Sequence, residues 1–311
     1  MPSLPPPPGV YVPAVLFFDE NEELDMPAIR AHILRLAQGG VTGILVQGSN
    51  GEAQHLSHQE RKQTIEFTRN ILNENGFQNV LVIAGTGAQT IRETKKLNVD
   101  AKEAGASHAL ILTPSTWFKS MTTDTILRFH REVADASPIP TMVYNFPGVT
   151  AGQDLDSDIV AILATHPNIV GTKLSCGNIG KIHRVASRIP SSEFAVFAGR
   201  SDTFVFGCLA KSAGAITALV NIAPKVHAKM WKLIQEGKTD EAMELQEKIS
   251  HGDWAISKIG GVGGVKATIA DNFGYGKPFV RGPLSTVDVN SLAESRDYKI
   301  LVDLIALEKT L

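Results

Sequence analysis

From residue 10 onward, short apolar, β-branched runs alternate with longer stretches whose apolar positions recur every three or four residues. The runs at 10–18 (VYVPAVLFF), 43–47, 80–85 and 109–114 predict four strands, and those at 141–145, 169–173, 194–199 and 214–219 predict four more. Intervening segments such as DMPAIRAHILRLAQ and HQERKQTIEFTRNILN have the spacing of amphipathic helices. The second starts at Ser57 with Glu60 three residues on, a capping-box pattern. Alternating strands and helices signal parallel βα units, and eight such units closing on themselves make a TIM barrel. A doubly wound parallel sheet is the alternative, because alternation does not encode closure.

From Pro224 the pattern is helical only. The expected organisation is a proline-rich, extended or disordered tail (1–9), a (β/α)8 barrel (10–223) and a C-terminal helical extension (224–311).

Composition changes this picture little. The formal net charge of −2 gives no basic surplus that would point to nucleic acid or an anionic membrane as partner. No apolar run is long enough to span a bilayer. The start, MPSLPPPPGV, lacks the charged and apolar regions of a signal peptide. Cys176 and Cys208 form no metal-type or disulfide-type pattern. These features suggest a protein of a reducing, cytoplasmic environment.

The candidate chemistry lies at the carboxyl ends of the predicted strands, the active face of a barrel. Lys173 ends the apolar run Ile169-Val170-Gly171. A lysine there either snorkels to solvent or is desolvated, which favours a neutral, nucleophilic amine. Gly171 shares its strand parity and leaves room for its stem. Tyr144 ends the preceding strand. An amine that attacks a ketone and a phenol that relays protons are the parts of Schiff-base chemistry. Strand two ends in GSNGE, whose backbone N–H groups and Ser49 and Asn50 side chains suit a carboxylate, although the same residues also make an ordinary turn.

The segments GSNGE, YNFPG, GTKLSCGN and GAITALVNIAP, in this order and spacing, resemble the dihydrodipicolinate synthase/N-acetylneuraminate lyase family of class I aldolases. The resemblance covers nearly the whole chain. It implies a TIM barrel with a helical extension, usually a homotetramer built as a pair of dimers, and an imine between Lys173 and pyruvate or a longer 2-keto acid. It implies no cofactor and no metal. By position, Tyr144 matches the family's proton-relaying tyrosine, and Ser49 and Asn50 the pair that holds the keto-acid carboxylate. Gly199 and Ile216 match positions whose backbone lines the pyruvate site.

Two departures bear on the substrate. Val149 stands where dihydrodipicolinate synthases carry an arginine for the carboxylate of aspartate semialdehyde. In TPSTWFKS, Thr116, Trp117 and Phe118 stand where many members place a tyrosine that crosses into the neighbouring subunit. The expected reaction is therefore cleavage of a 2-keto-3-deoxy sugar acid or 4-hydroxy-2-oxoglutarate to pyruvate and an aldehyde. Val149, Thr116, Trp117, Arg200 and Asp202 are expected around the aldehyde half. Dihydrodipicolinate synthase activity is one alternative, and a keto-acid-binding protein without turnover is another.

Other motifs read as structural. His55 and His58 of HLSH flank a helix start and lack the further ligands of a zinc site. GGVGG (260–264) and GTGAQT (85–90) lack the dinucleotide fingerprint an oxidoreductase would need and read as a helix junction and a βα turn. Lys266 lies among apolar residues of the helical tail and reads as structural.

Overall fold

A computed structural model describes residues 3–311. Its eight parallel strands close into a barrel in sequence order, which excludes the doubly wound alternative. They are β1 (Gly9–Pro13), β2 (Gly43–Val46), β3 (Leu81–Gly85), β4 (His108–Leu112), β5 (Thr141–Asn145), β6 (Ile169–Leu174), β7 (Ala195–Ala198) and β8 (Gly214–Ile216). The barrel closes where Gly9, Val10 and Tyr11 of β1 pair with Gly214, Ala215 and Ile216 of β8.

The first strand is shorter than the apolar run that predicts it. It stops at Pro13, and the Val15 N–H then bonds the Asn221 side chain. Ala14 to Phe18 stay apolar because they are buried against the helices, with Phe17 edge-on to His32 and Tyr275.

One helix follows each strand. They are α1 (Met26–Gln38), α2 (His58–Glu74), α3 (Ile91–Glu103), α4 (Thr123–Ala136), α5 (Ser157–Leu163), α6 (Ile179–Ala186), α7 (Phe204–Leu209) and α8 (Pro224–Gln235). The Ser57–Glu60 capping box is formed, with both reciprocal bonds present. Helix α8 packs on β1 and so completes the outer ring. The expected division at 223/224 therefore falls too early, because helical periodicity does not reveal which surface an apolar face will meet. What lies outside the ring is α9 (Thr239–Lys258), α10 (Gly261–Phe273) and α11 (Arg296–Thr310).

Of the extended or disordered tail expected, the part from Ser3 onward is ordered and laid against the barrel. The buried Tyr11 hydroxyl donates to the Pro7 carbonyl at 2.7 Å, His108 bonds the Leu4 carbonyl at 3.0 Å, and Ser3 donates to Asn168 at 2.7 Å. Low sequence complexity does not prevent order when buried polar groups need the backbone carbonyls that proline still offers. No helix of the described residues is long and apolar enough to cross a membrane.

Candidate active site

The barrel interior is filled by inward side chains from every strand, including Leu45, Leu110, Met142, Tyr144, Phe197 and Ile216. Between β5 and β6 the pairing jumps from Thr141–Ile169 to Met142–Gly171, so Val170 is an extra, bulged residue. A one-residue slip reverses the direction of every later side chain. Here the bulge brings Tyr144 and Lys173 directly opposite each other. Both are buried, at 4% and 3% exposure. The Lys173 amine donates to the Tyr144 hydroxyl at 3.2 Å and lies 4.4 Å from the ring centroid. No described carboxylate lies within ion-pairing distance of it.

Gly171 matters in a different way from the one expected. A Cβ there would sit 2.6 Å from the Ala195 carbonyl oxygen and 3.2 Å from the Met142 side chain, so the glycine makes room for β7 and Met142, not for the lysine stem.

A cavity of about 260 Å³ opens next to Tyr144, lined also by Gln47, Ser49, Gln89, Thr113 and Val149. Its floor is the loop after β2. Gln47 and Glu52 both adopt left-handed φ values of 51°, uncommon for residues with side chains and a mark of a constrained segment. Gly85 permits this path, since a Cβ on it would lie 2.2 Å from the Gln47 carbonyl oxygen. Ser49 Oγ and Gln47 Oε1 are buried without any hydrogen-bond partner. Such orphaned groups each cost about 1–3 kcal/mol and are rare unless a ligand satisfies them.

The remaining expected residues are dispersed. Asn50 shares the 310 turn Ser49–Gly51 and is half-buried, outside the cavity lining. Ile216 is sealed in the barrel core, and Gly199 is pressed against Ser175, where a Cβ would clash at 2.3 Å. Thr116 sits at the rim, its N–H held with that of Ser115 by the Gln89 side chain, and Trp117 beyond it is 75% exposed. Arg200 and Asp202 bond each other, and Arg200 lies 3.5 Å from the buried Asp253. They do not line the cavity, contrary to the expected placement around the aldehyde.

The structure also gathers residues to which the sequence assigns no functional role. His55 and Glu52 line the cavity. Glu52 is completely buried and pairs with Lys266 of α10, which is equally buried. Burial pulls the Lys266 amine down to about 8 against the opposing attraction of Glu52. Lys266 also donates to the Phe279 carbonyl at 2.8 Å. The Glu52–Lys266 contact spans 214 residues of chain, and the only hint of it in the sequence is a lysine within the apolar run around Val265 and Ala267.

The family model described as Dihydrodipicolinate synthetase family matches residues 6–298. The chain belongs to the dihydrodipicolinate synthetase family. An Emericella nidulans protein named "Probable 4-hydroxy-2-oxoglutarate aldolase, mitochondrial" is 44% identical over 271 residues, 87% of each chain. An Aspergillus niger L-threo-3-deoxy-hexylosonate aldolase is 42% identical, covering 100% of this chain and 99% of its own. Among solved structures, YagE of Escherichia coli, in complex with pyruvate, superposes with a TM-score of 0.85 at 27% identity over 98% of this chain and 99% of its own. The family, the barrel and the aldolase class expected from the motifs agree with these relatives.

Proposed function

We propose that the protein is a class I retro-aldolase that cleaves a 2-keto-3-deoxy sugar acid, or 4-hydroxy-2-oxoglutarate, to pyruvate and an aldehyde. The observation that carries the reading is the buried Lys173 amine, hydrogen-bonded to Tyr144 at 3.2 Å with no carboxylate to hold it as a structural ion pair. The orphaned Ser49 hydroxyl, which lines the same cavity as Tyr144, supports a carboxylate seat on the GSNGE turn, with Asn50 in the same turn.

In this reading Lys173 adds to the C2 ketone, and Tyr144 delivers a proton to the carbinolamine oxygen as it leaves as water. The resulting phenolate collects the proton of the C4 hydroxyl while the C3–C4 bond breaks, and the bonding pair enters the iminium to give an enamine. Protonation at C3 and hydrolysis then release pyruvate and regenerate Lys173. The chemistry needs no cofactor, since the imine is the electron sink.

The cavity favours an uncharged, hydroxylated aldehyde. Gln54, Gln89, Thr113, Ser115 and Thr150 offer neutral hydrogen-bonding groups, and Val149 contributes an apolar wall. That lining suits a sugar-derived aldehyde better than aspartate semialdehyde or the glyoxylate half of 4-hydroxy-2-oxoglutarate, whose carboxylates call for a cation. The name of the Aspergillus relative points to the sugar acid, and that of the Emericella relative to 4-hydroxy-2-oxoglutarate.

Pyruvate plus borohydride, followed by peptide mapping, tests the mechanism. The expected result is a reduced adduct on Lys173, absent in Lys173→Ala, and pyruvate release from a 2-keto-3-deoxyhexonate. A folded protein that yields no adduct would sink the aldolase reading and favour a keto-acid-binding protein. A homotetramer in the cytoplasm belongs to the same reading. Light scattering checks the first. For the second, the Emericella relative's name assigns that protein to mitochondria, and cell fractionation distinguishes the two.

A further inference from the structure

We propose that His55 reads a hydroxyl of the aldehyde half of the substrate, held in a single tautomer by the buried Glu52–Lys266 pair. The inference rests on the retro-aldolase reading and deepens it.

The Glu52 side chain is wholly buried, and so is that of Lys266. One carboxylate oxygen accepts from the Lys266 amine. The other accepts from the Arg281 backbone N–H at 3.0 Å and faces His55 Nδ1 at 3.2 Å. A carboxylate can only accept, so the hydrogen of the neutral ring resides on Nδ1 and the lone pair on Nε2. Nε2 has no partner among the described residues, and His55 lines the cavity that holds Tyr144 and Ser49. An acceptor fixed in this way at a cavity wall suits a hydroxyl donor.

The surroundings of His55 are fixed as well. The Arg281 guanidinium donates to the His55 carbonyl at 2.9 Å, so residue 55 is held through both its ring and its backbone. Glu52 itself is locked at a left-handed φ of 51°. A fully buried ion pair is costly to desolvate, and an apolar pair of similar volume often serves stability as well or better. The imine chemistry of Lys173 and Tyr144 makes no use of Glu52 or Lys266. What the pair supplies is a charge-anchored, non-rotating support for the one imidazole in the cavity lining. Sugar acids need a fixed acceptor of this kind, because hydroxyls are distinguished by direction.

The test compares two substrates in wild type, His55→Ala and His55→Gln. One is a 2-keto-3-deoxyhexonate, whose aldehyde half carries hydroxyls. The other is 4-hydroxy-2-oxopentanoate, whose aldehyde half is acetaldehyde and carries none. In His55→Ala, kcat/KM on the hexonate should fall about two- to tenfold more than on the short acid, the worth of one neutral hydrogen bond. His55→Gln, which keeps an acceptor, should recover part of the difference. Both variants should still trap pyruvate on Lys173. Equal losses on the two substrates, or no loss on the hexonate, would overturn the role of His55 while leaving the retro-aldolase reading intact. If His55→Ala fails to fold, His55→Leu, of closer bulk, carries the same comparison. A wild-type protein that traps no pyruvate and cleaves neither acid would remove the underlying reading, and the role of His55 with it.

Discussion

Replacing Tyr144 by phenylalanine removes one oxygen and leaves the ring where it packs, stacked on Phe146 with centroids 5.7 Å apart. The amine of Lys173 would lose its only hydrogen-bond partner among the described residues but stay buried. If Tyr144 moves protons in the retro-aldol step, Tyr144→Phe should lower kcat by about 10²–10⁴ while KM changes far less. Slow borohydride trapping of pyruvate on Lys173 should persist, since the nucleophile remains. A KM effect without a kcat effect would instead make the hydroxyl a binding group. At this scale the sequence was informative. Lys173 and Tyr144 end adjacent apolar runs, and strand ends at one face of a barrel are where chemistry collects. The bulge at Val170 was not legible, because nothing in Ile169-Val170-Gly171 marks one residue as extra. Their parity within β6 is unaffected by the bulge, but their register against Tyr144 depends on it.

Elements show a sharper limit. Eight strands were readable because an apolar run in a two-sided environment is a local property. The assignment of α8 was not, since its amphipathic face would look the same against β1 or against a neighbouring helix. The contact between α10 and the loop after β2 was equally hidden: Glu52 in a polar-looking turn and Lys266 in an apolar helix become intelligible only as a pair. That pair predicts a thermodynamic cycle. Lys266→Met strands the buried Glu52 carboxylate and should destabilise the fold by about 3–5 kcal/mol. The double variant Glu52→Gln with Lys266→Met removes both charges, and most of the loss should be recovered. Urea titrations of wild type, Glu52→Gln, Lys266→Met and the double variant read the coupling directly. If the single and double variants are equally unstable, the two charges do not compensate each other, and the extension is held by its other contacts, among them Arg281 with Glu60 and Gln246 with the Val205 N–H.

At the scale of the whole molecule, buried histidines link the fold to pH. His32 and His130 are held down to about 3 and His227 to about 4, each chiefly by burial of a ring that would be charged. Arg35 adds to the effect at His32. On unfolding, each returns to its ordinary value of 6.5, so between roughly pH 4 and 6.5 the unfolded chain binds more protons. Stability is thus greatest above 6.5 and is lost as the pH falls. Asp253 opposes this. Burial and the neighbouring Asp202 raise its carboxyl to about 6, so near pH 5 it releases a proton on unfolding. His108, also lowered by burial, acts with the other histidines, and Glu308, raised by burial, acts with Asp253. Near pH 5 three imidazole protons taken up and one Asp253 proton released leave about two, a slope of roughly 2.7 kcal/mol per pH unit. Glu60, held down to about 2 chiefly by its hydrogen bond from Arg281, steepens it further below pH 4.5. Summed from pH 6.5 to 4, the net proton uptake removes about 6 kcal/mol, enough to unfold a domain near the low end of the usual 5–15 kcal/mol. Urea midpoints at pH 7, 6 and 5 should fall in that order. His130, whose one side-chain bond is to Thr113 at 3.2 Å, is the cleanest probe, and His130→Gln should reduce the slope by about one proton. A flat stability profile from pH 7 to 5 would mean that these imidazoles titrate normally in the folded protein, against the burial that surrounds them.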